Sequence, residues 1–520
     1  MKKGYGILFL IISAIAAACA VIFNFNSELF YSADIFADAY IGGLMAEKGA
    51  LFPDGWVFGN QYYIITPSVL SALVIKLTGA DIVTAMSVSS SIFVFLILLS
   101  LVYFLRGAKI GFTGIAAGLL CLSGGVIFDF YDKVCMLGLQ MVFTKAAYYS
   151  AYFVVILLTL GVYLRIRSGG KRGPAFYTMA FLTVAMNFAL GMQSLRGILV
   201  LSIPLCCLAL VHYIWKKGSP VSAIYAGIVM IASAAGFLFM KSLHIPYSTL
   251  VGPMEIYIIQ LKEIVRSFFT FSGIYFIKMA WKEGWWHLVP FFCSLIILFF
   301  VAKAIYKMFK DKESEGLAAV VILCVISLGG VYATCLLSIV SAAPRYFFIW
   351  YILTTACIVY VIDKTSDRKK IRIYSGLLAV VGIAAVLWNY LPYYKRDRES
   401  RQAVAETTGR LLDNGTTAIC AYYMTHPIFA GYAHGKIYSV VFYYNQDGGD
   451  KPLQLLPFFN DPEALERTDY ENALICMDPR AWAYAPEDLK PVMEERMEKV
   501  DSCFADGVQY DFYKPLTPVL

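Results

Sequence analysis

The chain has 520 residues, 59% of them hydrophobic and 15% charged, with a formal net charge of +7. So few charges exclude a soluble enzyme of this length. Windows of about 18 or more apolar residues recur almost to residue 390, the mark of a polytopic helical membrane protein.

Barrel strands alternate and are short, so they cannot account for such windows. The modest positive charge lies in short clusters between apolar runs and gives no sign of a nucleic-acid partner. Lys2 and Lys3 precede an apolar run that reaches Phe25. A signal peptide is one reading; the length of the run favours an uncleaved first span, with the two lysines in the cytoplasm. A polar, aromatic loop over about 26–66 follows. ITPSVLSALVIKLTG (65–79) is moderately apolar and carries Lys76, and it reads as a helix lying at the interface. Were it a span, RGAK at 106–109 and each later basic cluster would face outside.

With that helix at the interface, the spans sort consistently: about 84–105, 111–128, 139–164, 175–192, 196–214, 221–242, 286–305, 316–340, 345–362 and 371–390. With the first, that makes about 11 spans, a cytoplasmic N-terminus and every strong basic cluster inside. From about residue 391 the chain turns polar. TTAICAYY, IYSVVFYY, NALICMDP and VQYDFYKP read as strands; DPEALERTDY and APEDLKPVMEERMEKV read as helices. The division expected is therefore a membrane domain over 1–390 and an extracytoplasmic mixed α/β domain over 391–520. Most of the twelve cysteines sit singly inside apolar runs and read as packing residues. Cys420, Cys476 and Cys503 are candidates for pairing in an oxidising compartment, but three is an odd number and no bridge is assigned.

The outer loops collect the ionisable groups. The first holds Asp34 and Asp38, and the next outer turn, FDFYDK, holds Asp129 and Asp132. Lys145 lies near the outer end of a span. NFALGMQSLRG places Gln193 and Arg196 at an outer turn, and SAAPRYF places Arg345 and Tyr346 at the mouth of another. WKEGWWH at 281–287 reads as an aromatic belt. Carboxylates and fixed cations on one membrane face point to a site. Arginine and lysine suit a phosphate, and a carboxylate can deprotonate an incoming hydroxyl or amine. No His/Cys spacing calls for a metal.

This layout resembles the C-type-fold glycosyltransferases that use lipid-phosphate-linked sugars, such as the protein O-mannosyltransferases and the lipid A aminoarabinose transferases. DIFADAYIGGLMAEKGALFPDGW is similar to the family's first-loop signature, an acidic residue followed by a helix and a Gly-Asp-Trp-like stretch. ITPSVLSALVIKLTG is similar to its Pro-Pro-Leu interfacial helix. Two departures stand out: Asp34 precedes Ile35 where the family often has Glu, and Thr66-Pro67 replaces Pro-Pro. The resemblance implies Asp34 as the catalytic carboxylate, Asp129 as the second acidic position and Arg345 as the lipid-phosphate arginine. Asp38, Lys145, Gln193, Arg196 and Tyr346 then line the substrate. It also implies a polyprenyl-phosphate sugar as donor and an envelope glycan, lipid or protein as acceptor, on the outer face of the membrane. A divalent cation between Asp34 and Asp129 stays an open alternative that no ligand set demands. The rival function is a flippase or exporter of lipid-linked glycans, which calls for mid-membrane charges and repeated halves; neither is obvious here.

Overall fold

The computed structural model describes residues 2–26, 33–53, 56, 58, 61–127, 149–169, 173–214, 219–245, 260–262, 264–265, 272–337, 344–391, 394–422, 428–433, 436–444, 452–455, 472–505 and 507–517. The chain forms two compact units. The first comprises 1–21, 91–244 and 250–391; the second comprises 22–90, 245–249 and 392–520. The protein is a multi-pass membrane protein. Among the described residues, eight helices are long and apolar enough to cross a bilayer, and shorter apolar helices join them.

In the first unit, helices α1 (Lys2–Asn26) and α4 (Ile82–Gly107) contribute the parts that lie within it. They join α5 (Phe112–Gly124), α6 (Ser150–Arg167), α7 (Pro174–Gln193), α8 (Ile203–Ile214) and α9 (Pro220–Ser242). The amphipathic α10 (Tyr275–Glu283) precedes α11 (Leu288–Lys310), α12 (Leu317–Leu336), α13 (Ile349–Lys364) and α14 (Arg368–Tyr390). Nearly every residue of α6 and α13 is buried, as expected of helices that are apolar all round and sit inside a bundle. Helix starts follow their local chemistry. Asp367 Oδ1 accepts from Lys369 N at 2.8 Å and Lys370 N at 3.2 Å, and Pro220 follows the capping Ser219.

The expected span at 111–128 is a helix of 13 residues. Gly125 ends it in the left-handed region at φ 67°. Its last carbonyls are taken up by α14: Asn389 Nδ2 donates to Gly124 O and Gly125 O, both at 3.1 Å, and the Tyr390 hydroxyl donates to Ser123 O at 3.1 Å. The expected span at 196–214 opens with a π-helical turn, Ile198–Ser202. Ser327 reaches across to donate to Val200 O within that turn, at 2.8 Å. Helices α7 and α9 cross at glycines. A Cβ on Gly191 would overlap Ser233 O, and one on Gly236 would overlap Phe188 O. Such close backbone approach is how helices gain contact in lipid, where apolar burial alone drives little association.

One rim of this unit is tied by ionic contacts. Lys2 Nζ donates to Asp363 O at 2.8 Å and to Thr365 O at 3.1 Å. Gly111 N donates to Asp363 Oδ1 at 3.0 Å, and Lys307 Nζ donates to Lys364 O at 3.3 Å. Glu313 accepts from Lys364 Nζ at 2.7 Å and from the Tyr360 hydroxyl at 2.5 Å.

The second unit contains α2 (Ala33–Lys48), α3 (Pro67–Thr78), α15 (Tyr394–Asp413) and a six-stranded sheet. The segment read from sequence as loop 26–66 thus carries a helix of 16 residues. Its apolar positions are interrupted by Gly42 and Gly43, which hides the helical period. Helix α3 lies where a helix was expected over 65–79, with Pro67 in its first turn and Gly79 at φ 68° closing it. The strands are β1 (Ala418–Tyr422), β2 (Tyr438–Tyr444), β3 (Leu453–Leu455), β4 (Ala473–Met477), β5 (Met497–Ala505) and β6 (Val508–Pro515). They run in the order β3-β2-β1-β4-β6-β5. Strand β1 pairs parallel with β2 and β4, and the outer pairings are antiparallel.

Four expected strands are present. The expected helix over 485–500 splits into a helix, Leu489–Arg496, and the start of β5. Met497–Val500 has helix-forming residues, but it lies beside β6 and pairs with it, so tertiary pairing overrides propensity. DPEALERTDY lies outside the described residues. Cys420, Cys476 and Cys503 are free thiols. Helix α15 docks on β5, where Arg410 Nη2 meets Asp501 Oδ1 at 3.2 Å.

Gly236→Ala should destabilise the chain by about 1–3 kcal/mol. Thermal melts in detergent check this, and an unchanged midpoint would mean that α7 and α9 part without cost. Burial pushes the Glu313 carboxyl up, but the bonds from Lys364 and Tyr360 outweigh it and hold it below its ordinary 4.5. Its stabilising contribution is therefore present above pH 4.5 and lost as the pH falls through the lower folded value. Melts across that range should lose part of their pH slope in Glu313→Gln.

Candidate functional site

Arg196 follows directly from the break between α7 and the π-helical turn. At the break, Ser194 is extended (φ −170°, ψ 164°), so the chain leaves one helix and enters the next within a few residues. Three tyrosine rings surround the guanidinium. Its central carbon lies 5.3 Å from the ring centroid of Tyr149, 5.9 Å from Tyr152 and 5.3 Å from Tyr346. A planar guanidinium takes such rings against its faces, and the aromatic quadrupole attracts the charge.

The rings are themselves held. The Tyr152 hydroxyl and Ser194 Oγ are 2.6 Å apart, Gln193 also reaches that hydroxyl, and Phe348 packs on both Tyr149 and Tyr152. Ser194 Oγ further accepts from the Arg196 backbone N–H at 3.2 Å. Two separate sequence motifs, MQSLRG and PRYF, therefore meet on the tyrosines that open α6. Gln193, Arg196 and Tyr346 are brought together, as the sequence reading grouped them. Arg345 is next to Tyr346 in the short 3-10 turn Pro344–Phe347. Tyr149, Tyr152 and Ser194 were missed. Their signal was present: tyrosines three apart in YYSAY lie on one helical edge at the mouth of a span.

The second unit holds the acidic residues. Asp34 and Asp38 are one helical turn apart in α2, and Asp38 is fully buried. Next to it, α2 packs closely on α3 at Gly42, where a Cβ would lie 2.9 Å from Ser68 O and 3.4 Å from Ser71 Oγ. Around this contact Tyr40, Ile41, Leu44, Trp56, Phe58 and Tyr63 form an apolar core that Ala430 completes. Polar groups are buried in this unit as well. The Thr66, Ser68 and Ser71 hydroxyls and the Gln61 amide are out of contact with solvent and find no hydrogen-bond partner among the described residues. A buried polar group left without a partner costs about 1–3 kcal/mol, so such groups are ordinarily satisfied by protein, water or ligand. A cleft of about 640 Å³ opens between α2 and α3, edged by Glu47, Lys76, Asp81 and Lys436. Asp129, Asp132 and Lys145 lie outside the described residues. Among the described residues, no three His, Cys, Asp or Glu side chains gather as a metal site.

No family model and no curated protein matches the chain. Solved structures do. Apo ArnT from Cupriavidus metallidurans aligns with a TM-score of 0.57 at 12% identity, over 99% of this chain and 98% of that one. ArnT bound to undecaprenyl phosphate aligns with a TM-score of 0.53 at 12% identity, over 98% of each chain. The chain has the C-type glycosyltransferase fold. At that identity the likeness concerns the fold, and it extends through the C-terminal sheet as well as the helices.

The cage gives Arg196 a measurable coupling to its rings. In a double-mutant cycle of Arg196→Lys and Tyr346→Leu, the two changes should couple by about 0.5–1 kcal/mol in thermal stability. Additive effects would mean that ring and cation are only neighbours.

Proposed function

We propose that the protein transfers a sugar from a polyprenyl-phosphate donor to an envelope glycan, lipid or protein acceptor. The observation that carries this is the full-length likeness in fold to ArnT, one structure of which holds undecaprenyl phosphate. The ring-held cation of Arg196 supports it, because a fixed guanidinium suits the phosphate of such a donor. The buried hydroxyls and amide around α3 support it too, since a sugar offers hydrogen bonds to groups that find none among the described residues.

In this reading the reaction takes place on the outer face of the cell membrane, with the N-terminus in the cytoplasm and the C-terminal sheet outside. Arg345 and Arg196, with Lys145, hold the donor phosphate, while Gln193, Tyr346 and Asp38 position the substrate. Asp34 takes the proton from the acceptor hydroxyl or amine as that nucleophile attacks the anomeric carbon. The bond from the anomeric carbon to the phosphate oxygen breaks on the opposite face, inverting the centre. The phosphate leaves as an anion and needs no proton, so one base suffices, in contrast to the paired carboxylates of sugar hydrolysis. Asp129 is the second acidic position. No step requires a divalent cation, although Asp34 and Asp129 are the residues that would share one.

The test is transfer of labelled sugar from a panel of synthetic polyprenyl-phosphate sugars, using purified protein and envelope extract. Asp34→Asn should lower transfer by about a hundredfold or more. Arg196→Ala should weaken the use of donor by about tenfold, mainly in KM. Full activity in Asp34→Asn would move the base to Asp38 or Asp129. No product from any donor with folded protein would favour movement of lipid-linked glycans over transfer.

A further inference from the structure

The first unit also carries a groove that none of the residues of the arginine cage lines. Helix α10 is short and strongly two-sided. Phe276, Met279 and Ala280 are buried, while Ile277, Lys278, Trp281 and Lys282 are exposed, Trp281 at 86%. These exposed positions recur at the spacing of one helical face. Gly284, at φ 132°, then breaks the helix in a conformation closed to other residues, and Trp285, 74% exposed, follows it. The result is a groove of about 360 Å³. Ile277, Ala280, Leu288, Trp281 and Trp285 line it, together with the side chains of Lys278 and Lys282.

The charges here differ from those of the ionic rim. There, Lys364 pairs with Glu313 and Arg167 with Glu315. Among the described residues, the carboxylate beside the groove is Glu283, whose Oε2 lies 3.4 Å from His287 Nε2. Among the described residues, neither lysine pairs with a carboxylate; Lys278 lies over the Tyr275 ring at 5.5 Å. Two lysine side chains thus border an apolar slot lined by indoles, at the entry of the membrane-crossing segment Trp285–Lys310.

We propose that this groove binds an anionic phospholipid. An acyl chain lies between the two indoles, and the headgroup phosphodiester sits at Lys278 and Lys282. The chemistry selects this occupant. A zwitterionic lipid brings its own cation to a groove that already holds two, and a neutral ligand leaves both lysines without a counter-charge. Aromatic side chains suit the boundary between acyl chain and headgroup, where one end of the ring is apolar and the other wet.

The test is native mass spectrometry of the full chain in detergent after incubation with phosphatidylglycerol or phosphatidylcholine. The wild type should retain phosphatidylglycerol in preference. Each lysine near an anionic headgroup contributes about a fivefold factor, so the double variant Lys278→Gln/Lys282→Gln should lose most of that preference. The double variant Lys278→Arg/Lys282→Arg should keep it. Trp281→Ala with Trp285→Ala should release phosphatidylglycerol while leaving the thermal midpoint unchanged. Equal retention of the two lipids by the wild type, or preference persisting in the glutamine variant, would overturn the proposal. Displacement of phosphatidylglycerol by equimolar undecaprenyl phosphate would also overturn it, because the groove would then read a phosphomonoester on a polyprenyl chain.

Discussion

The C-terminal end of helix α13 is the point at which the membrane unit is tied together. A helix leaves its last four carbonyls without partners, and in a bundle those carbonyls must be satisfied by something other than lipid. Lys2 reaches them from the first helix and Lys307 from α11. Asp363 answers by accepting the Gly111 amide at the start of α5, and Lys364 with Tyr360 fixes Glu313 in the turn before α12. Cations near a helix C-terminus also interact favourably with its dipole. One helix end thus sets the height of four neighbouring segments. The other consequence lies along the same helix. Because α13 is buried on nearly every side and its rim is anchored, the turn Pro344–Phe347 that precedes it has a defined position, and with it Tyr346.

Much of this was legible in the sequence for a simple reason. Apolar length and basic clustering report directly on membrane crossing, and both depend on composition over windows rather than on single residues. Helix α3 was legible because Pro67 and Gly79 mark its two ends. Helix α2 was legible only through the family resemblance, which sets a helix after Asp34; two glycines and two aspartates break its apolar stripe, and its burial comes from α3 and from Ala430 in the tail. Strand β5 was not, since its first residues are good helix formers and only the neighbouring β6 makes them extended. The π-helical turn leaves no sequence signal either; its widened geometry depends on Ser327 from another helix.

The candidate site divides along the same line. Arg196, Gln193 and Tyr346 could be grouped because each sits in a short polar turn between apolar runs, where ionisable residues are costly and therefore conspicuous. Tyr149 and Tyr152 were passed over because a tyrosine at the mouth of a span is ordinary, and nothing in a linear sequence says which cation it faces. The buried Gln61, Thr66, Ser68 and Ser71 were passed over for a related reason. Polar residues in a loop or on an interfacial helix are expected to be wet, and only the packing of α2 on α3 shows that these are not.

The second unit is assembled from distant parts of the chain, and that bears on its biosynthesis. Tyr40, Ile41 and Leu44 leave the ribosome early, whereas Ala430, in the short helix Ile428–Tyr432, and the sheet beside it come from the tail. At the usual rate of synthesis the interval is on the order of tens of seconds. Through that time the apolar face of α2 has only α3 and its own loop to cover it. The glycine contact between α2 and α3 lets those two helices close on each other without waiting for the rest. The early segment can therefore shield itself as a helical hairpin while the remaining membrane segments are inserted, and the sheet docks last.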